Sequence, residues 1–258
     1  MLPVTRTPGS DPMPGIFDAV FEMVDELTES KRISCFFFVR KPPGLRLRFL
    51  LSEPGGIAEK RIKNCCDVLV GRRIAERWFA SVYEAETFKL GGPEAVEAVH
   101  SYFSTDSRAW WRWGRMAQKK ATVDARLLSL AVLNDLFLRF LEFPEEIWDV
   151  WCRVTCLHGA RVLGESSAVA VPTIERIIGH LGPEESAILH AYASANTIMA
   201  TRFSELHEQG RLLFAYRFVL PHVALYHWNR YGFTPSDRTH MFNAMTHAWS
   251  PHAVGPGS

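Results

Sequence analysis

A chain of 258 residues that is 47% hydrophobic carries enough apolar surface for one large domain or two small ones, and needs no disulfide staples to fold. Its 29 basic side chains stand against 28 acidic ones for a formal net charge of +1, which excludes a global field for capturing nucleic acid or an anionic membrane; any recognition of anions has to be local. The five cysteines contain no CxxC pair and read as reduced core thiols of a cytosolic protein, not as a zinc site.

Residues 1–15, MLPVTRTPGSDPMPG, lack the apolar centre of a signal peptide and read as a flexible leader. No apolar run in the sequence is long enough to cross a bilayer. Ile16, Phe17, Val20, Phe21, Val24 and Leu27 then recur at helical spacing and predict an amphipathic first helix. The period changes at Ile33 to Val39, an aromatic and β-branched run. Pro42-Pro43-Gly44 is a turn, and Leu45 to Leu51 alternates apolar residues with arginine, which predicts a hairpin or two neighbouring strands. Arg46 and Arg48, two residues apart on a strand, project from one face that suits an anionic or carbonyl-rich substrate.

A helix follows from Ile57 to Val70. Trp78, Ala80, Val82 and Tyr83 suggest another strand leading into Glu84 and Glu86, broken by Gly91-Gly92-Pro93, with a helix from Pro93 to Phe103. Asp106-Ser107 reads as the N-cap of a separate helix carrying Trp110. Trp110, Trp111 and Trp113 cannot all face one core, so at least one should lie in a groove or at an interface; Trp111 is the candidate for a peptide-binding wall, with core packing as the plainer reading. Further helices are predicted over Ala121 to Phe140, Glu145 to His158, Thr173 to Leu181, Glu184 to His207, Leu212 to Tyr231 and Ser236 to Ala248. Gly164 to Pro172 is a loop and 251–258 a tail. With neither repeats nor a dividing linker, the outline is one α+β domain over 16–250, a small N-terminal antiparallel sheet packed on a larger helical region.

The runs FFFVRKPPGLRLRF (Phe36 to Phe49) and YEAETFKLGGPEAVEAVHSYFSTDS (Tyr83 to Ser107), the latter ending in His-x-x-Phe-x-x-Asp-Ser, together with His227-Trp228-Asn229-Arg230, resemble the C-terminal elimination domain of lantibiotic dehydratases. Stand-alone versions are known as thiopeptide-type bacteriocin biosynthesis proteins. The resemblance implies one of two chemistries. In one, glutamate is eliminated from glutamylated Ser or Thr of a precursor peptide to leave a dehydroamino acid. In the other, a pyridine synthase joins two dehydroalanines in a formal 4+2 cycloaddition that closes a macrocycle and expels water and the leader peptide. Elimination needs a base and cations for the enolate-like oxygen and the departing carboxylate. Cycloaddition needs two peptide segments held together and hydrogen bonds that favour an iminol tautomer.

Departures from the eliminase pattern favour the second branch. The arginine expected to bind glutamate falls on Lys89, the catalytic histidine on Leu225, and the histidine before the Leu-Arg-Leu-Arg run on Gly44. With the resemblance, Arg46, Arg48, Tyr83, His222 and His227 are the catalytic candidates and Lys89, Glu86, Asn229 and Arg230 the substrate-binding ones, joined by Trp111 from the tryptophan cluster. Each has a plainer reading: solvent-facing arginines on a strand, a Glu86 ion pair, satisfied core histidines, and an Asn229-Arg230 pair that anchors a helix to the sheet. Elimination by a divergent site using Lys89 with His222 or His227, and non-catalytic binding of the precursor, are the alternatives. No metal or organic cofactor is implied. The implied partners are a leader-bearing precursor peptide and a separate glutamylating dehydratase subunit, with no nucleic acid and no membrane, and the implied location is the cytoplasm.

Overall fold

The structure is a computed structural model and describes residues 2–3, 13–42, 44–120, 123–159 and 171–251. Its strands are β1 (Leu2–Pro3), β2 (Ile33–Lys41) and β3 (Gly44–Leu51), and its helices are α1 (Met13–Glu29), α2 (Ile57–Gly71), α3 (Ala95–Lys120), α4 (Ala125–Phe140), α5 (Pro144–Leu157), α6 (Ile174–Ile178), α7 (Pro183–Glu208), α8 (Tyr216–Tyr231) and α9 (Pro235–Ala248). The fold is α+β, an N-terminal antiparallel sheet of order β1-β3-β2 packed on a helical region.

The β2–β3 hairpin sets Phe37 opposite Arg48 and Val39 opposite Arg46. Period-two alternation therefore splits the sheet. Phe36, Phe38, Leu45, Leu47 and Phe49 turn to one face, where they join the apolar faces of α1 and α2 in a core of their own. Phe37, with Cys35 and Val39 beside it, turns to the other face and packs with residues of α3 and α8 in the main helical core. A third cluster ties the far half of α3 to α4 and α7.

Five expectations are corrected. The predicted helix from Pro93 and the one carrying Trp110 are a single helix, α3, so Asp106 and Ser107 lie in its middle. They are not an N-cap; Ser107 donates to the Phe103 carbonyl at 2.8 Å and accepts from the Phe38 N–H at 3.3 Å. The predicted strand at Trp78 to Tyr83 has no ladder partner among the described residues. Residues 212–215 stand outside α8, because the Leu213 N–H is spent on the Gly91 carbonyl at 3.0 Å. The leader is not wholly separate from the fold, since Leu2 and Pro3 pair with Leu45 and Gly44 and α1 begins at Met13. The loop predicted over Gly164 to Pro172 lies, up to residue 170, outside the described residues, as does the tail beyond 251.

Asp106 holds the layers in place. A carboxylate with no solvent exposure is costly unless its lone pairs are filled. Arg230 Nε lies 2.6 Å from Oδ2, while His227 Nδ1 at 2.7 Å and the Tyr192 hydroxyl at 2.6 Å meet Oδ1. Burial pushes the Asp106 carboxyl up, but His227 and Arg230 outweigh it and hold the group well below the usual carboxylate range. The residue next to Arg230 finishes the join: Asn229 accepts from the Arg40 N–H and donates to the Arg40 carbonyl, both at 2.8 Å. With Ser104 and Ser107 accepting from Phe36 and Phe38, the outward N–H groups of edge strand β2 are met by helix side chains.

Asp106→Ala leaves Arg230 buried beside an empty site, and we expect it to cost about 3–5 kcal/mol, read as a lower urea midpoint at unchanged m. Because the folded pKa of Asp106 is lowered, its stabilisation is complete above the unfolded value of about 4 and declines as pH falls below it. Asp106→Asn should therefore flatten the acid limb of stability against pH. An equally steep limb in the variant would show that other carboxylates set it.

Candidate active site

Helices α3 and α8 cover β2 but leave β3 partly open. There Arg46 and Arg48, both half-buried, border a cavity of about 430 Å³ whose other walls include Phe37, Tyr83, Glu86 and Tyr226. The segment that carries Tyr83 and Glu86 is led over the sheet by the glycine pair that follows it. Gly91 and Gly92 have φ of 96° and 117°, and a Cβ on Gly92 would come within 2.9 Å of the Leu213 side chain. That close approach, with the Gly91–Leu213 hydrogen bond, ties the segment to the stretch that leads into α8.

The arginine guanidiniums carry no ion pair to a carboxylate among the described residues. Arg48 instead lies over the Tyr83 ring, 4.7 Å from its centroid. Burial and the neighbouring Arg46 charge both lower the pKa of Arg48, as for a cation short of a counter-charge. Glu86 does not supply one, because it is engaged by Lys89 at 2.8 Å and by the Tyr226 hydroxyl. Burial would raise the Glu86 carboxyl; these two partners outweigh it and keep it lowered.

Tyr83 makes a second contact, 2.7 Å from its hydroxyl to Nε2 of His100 on α3. Burial pushes the Tyr83 phenol up to about 12. Burial, then the charge of Arg230, pushes His100 down to about 4. At neutral pH the pair is thus a phenol against a neutral imidazole, a short relay able to pass a proton to or from a substrate oxygen. The sequence reading passed over His100 as a site residue, although it begins the His-x-x-Phe-x-x-Asp-Ser run. At i, i+3 and i+6, His100, Phe103 and Asp106 descend one side of the helix from the Tyr83 contact, through Phe103 on the cavity wall, to the buried carboxylate. Tyr226 was passed over as well, and only its place on the cavity wall marks it.

Of the candidates from sequence, the structure brings Arg46, Arg48, Tyr83 and Glu86 together and puts Lys89 at their edge. It leaves His222 within electrostatic reach of Glu86 and separates the others. His227 and Arg230 are fully buried, and Asn229 is held by the Arg40 backbone. His222 is half-buried with Nδ1 2.9 Å from the Phe218 carbonyl in its own helix. Trp111 stacks on Phe21 of α1 at 4.6 Å between centroids, on the opposite side of the sheet from the arginines. Leu225 is a partly buried side chain against the main core.

Asp106, His227 and Ser129 line up like a nucleophilic triad, with His227 Nε2 2.8 Å from Ser129 Oγ. All three are sealed from solvent, and Ser129 Oγ also accepts from Trp228 Nε1 at 2.9 Å, so the line serves as internal bracing. Among the described residues, no cluster of three or more His, Cys, Asp or Glu is placed to hold a metal ion. No described helix is long and apolar enough to cross a membrane.

The fold is similar to that in the crystal structure of the tRNA dependent lantibiotic dehydratase MibB from Microbispora sp. 107891, with a TM-score of 0.67 at 13% identity. The match covers 94% of this chain and 28% of that one, so the present chain corresponds to about a quarter of MibB. A search of curated proteins finds no match. The model of the family described as lantibiotic biosynthesis dehydratase C-term matches residues 11–249, which take in the sheet, the Arg46–Arg48 face and the Asp106 network, and the chain belongs to that family.

Proposed function

We propose that this chain is a tailoring enzyme of ribosomally made peptides that joins two dehydroalanines of a leader-bearing precursor by a formal 4+2 cycloaddition. The observation that carries this reading is the pair of carboxylate-free arginines, Arg46 and Arg48, facing the Tyr83–His100 relay. Cycloaddition asks the protein for positioning and for hydrogen bonds that favour the iminol form of one amide. Arg46 and Arg48 hold the amide oxygens, and the Tyr83–His100 pair moves the amide proton from nitrogen to oxygen. Two C–C bonds then form, and departure of water and of the leader as its amide leaves the pyridine without any oxidant. The enzyme acts in the cytoplasm, downstream of a separate glutamylating dehydratase subunit that prepares the dehydroalanines.

Glutamate elimination fits less well. Lys89 is already paired with Glu86, and the position that matches the family's catalytic histidine is Leu225. One observation favours it nonetheless: neutral His100, on the same cavity as Arg48, is placed to take an α-proton. Mass spectrometry with two leader-bearing peptides decides between them. Leader loss from a peptide with two dehydroalanines supports cycloaddition, and loss of glutamate from a glutamylated serine overturns it.

On the productive substrate, Tyr83→Phe keeps the ring beneath Arg48 and removes the hydroxyl, and should lower kcat by about a hundredfold or more. The double variant Arg46→Ala/Arg48→Ala should lower kcat/KM by at least about a hundredfold, and unchanged turnover would sink the site assignment. Since His100 is held near 4, kcat should be flat through neutral pH and fall only as pH approaches about 4; a midpoint near 6.5 would remove His100 from the relay.

A further inference from the structure

A second and larger cavity, about 710 Å³, adjoins the first and shares Phe37, Arg48 and Tyr83 with it. Its lining includes every residue from Leu47 to Leu51. Alternation puts Leu47, Phe49 and Leu51 on one face of β3 and Arg48 and Leu50 on the other, so a single cavity lined by all five reaches round the strand's free edge. One side of it is α2, through Ile62 and Cys66; another is α3, through His100. Ser34, Cys35 and Phe37 of β2 add to the floor, and Trp78 to Ser81 with Tyr83 form a further wall, a segment with strand-like sequence and no strand ladder among the described residues.

Backbone direction completes the picture. The Phe38 and Arg40 N–H groups point away from β3, to Ser107 and Asn229, so Phe37 and Val39 are the β2 residues that exchange hydrogen bonds with Arg48 and Arg46. The backbone groups of Leu47 and Phe49 therefore face outward, into the slot. The same edge already accepts an extended segment one step further on, where β1 pairs antiparallel at Leu45 and Gly44. Leu50 at 61% and Val82 at 88% exposure are large apolar residues left in solvent, one on β3 and one on the facing segment.

We propose that the free edge of β3 binds an extended segment of the peptide substrate as an added antiparallel strand, with apolar side chains at alternate positions set into the slot between α2 and α3. The inserted strand pairs with Leu47 and Phe49 on one side, and Ala80 and Ser81 stand across the slot from its other edge without pairing to it. Running antiparallel as β1 does, it sends its C-terminal residues toward Arg46, so the segment that precedes the reacting residues is the one held. The inference deepens the reading of the chain as a peptide-modifying enzyme, and its test needs no turnover.

The probe is a phage-displayed random peptide library selected on the wild-type protein and counter-selected on Ala80→Trp, which fills the slot from an exposed segment. An enriched peptide is remade with a fluorophore and with single N-methyl groups along its backbone, and Kd is measured by anisotropy. The expected result is loss of about tenfold or more at alternate N-methyl positions, with neutral positions between them, and a comparable loss on the second slot variant, Leu50→Glu. Circular dichroism of both variants guards against misfolding. Peptides that tolerate N-methylation everywhere but lose affinity on Arg46→Ala would bind the smaller cavity through side chains, and no enrichment over Ala80→Trp would leave the slot without a ligand; either overturns the proposal. Because the probe carries neither dehydroalanine nor glutamyl ester, a failed cycloaddition assay leaves this outcome untouched.

Discussion

A carboxylate buried with three donors around it constrains everything built next to it. The charge of Asp106 has left water, and only the close fit of Arg230, His227 and Tyr192 offsets that loss. Those donors come from α8 and α7, so the helices cannot slide past α3 without exposing an unpaired charge. Such an arrangement contributes more to uniqueness than to net stability, since an apolar core of equal volume would serve stability as well. Its benefit here is positional. Arg230 lies against the Phe103 ring, 4.1 Å from its centroid, and Phe103 in turn touches Phe37 and Tyr226 on the floor and wall of the cavity. The cavity's shape is thereby referred to a rigid interior point.

The same network reaches the site electrostatically. Arg230 is neutralised by Asp106 on one side, yet its charge is still felt at His100, where it adds to burial in keeping the imidazole unprotonated. Arg46 and Arg48 lie at the opposite extreme, near each other and without a carboxylate partner among the described residues. Two guanidiniums so placed gain more from a carbonyl-rich or anionic ligand than isolated surface arginines do, because part of their desolvation has already been met by the fold. Lys89 differs: closing an i−3 pair with Glu86, it neutralises a carboxylate on the same cavity wall as the arginines.

How much of this was legible in the sequence depends on how local each signal is. Helices α1, α2, α4, α5, α7 and α9 follow their apolar periodicity to within a few residues, and the hairpin with Arg46 and Arg48 on one face follows from period two alone. Asp106-Ser107 failed because an N-cap and a buried mid-helix acid have the same local sequence; only the donors from α7 and α8, more than eighty residues away, tell them apart. His227 and Arg230 were assigned to the site on resemblance, and sequence carries no measure of depth. The tryptophans divide as three residues within one turn must. Trp113 faces α4 and α7, while Trp110 and Trp111 turn to α1, where Trp111 packs on Phe21 instead of lining a groove.

The segment Trp78 to Tyr83 has a different kind of misreading behind it. Its β-patterned composition is real, but strand formation needs a ladder as well as propensity, and the nearest edge, that of β3, is separated from it by the cavity. Elsewhere the fold satisfies its backbone thoroughly, as at β2, where two serines and an asparagine meet successive N–H groups. Among the described residues, one sheet edge is blunted in this way and the other is left open beside two arginines with no carboxylate partner. Open edges invite aggregation unless something occupies them. Here the unmet groups are flanked by apolar walls of helix and loop, a setting in which a single extended peptide would satisfy backbone, apolar lining and cations at once.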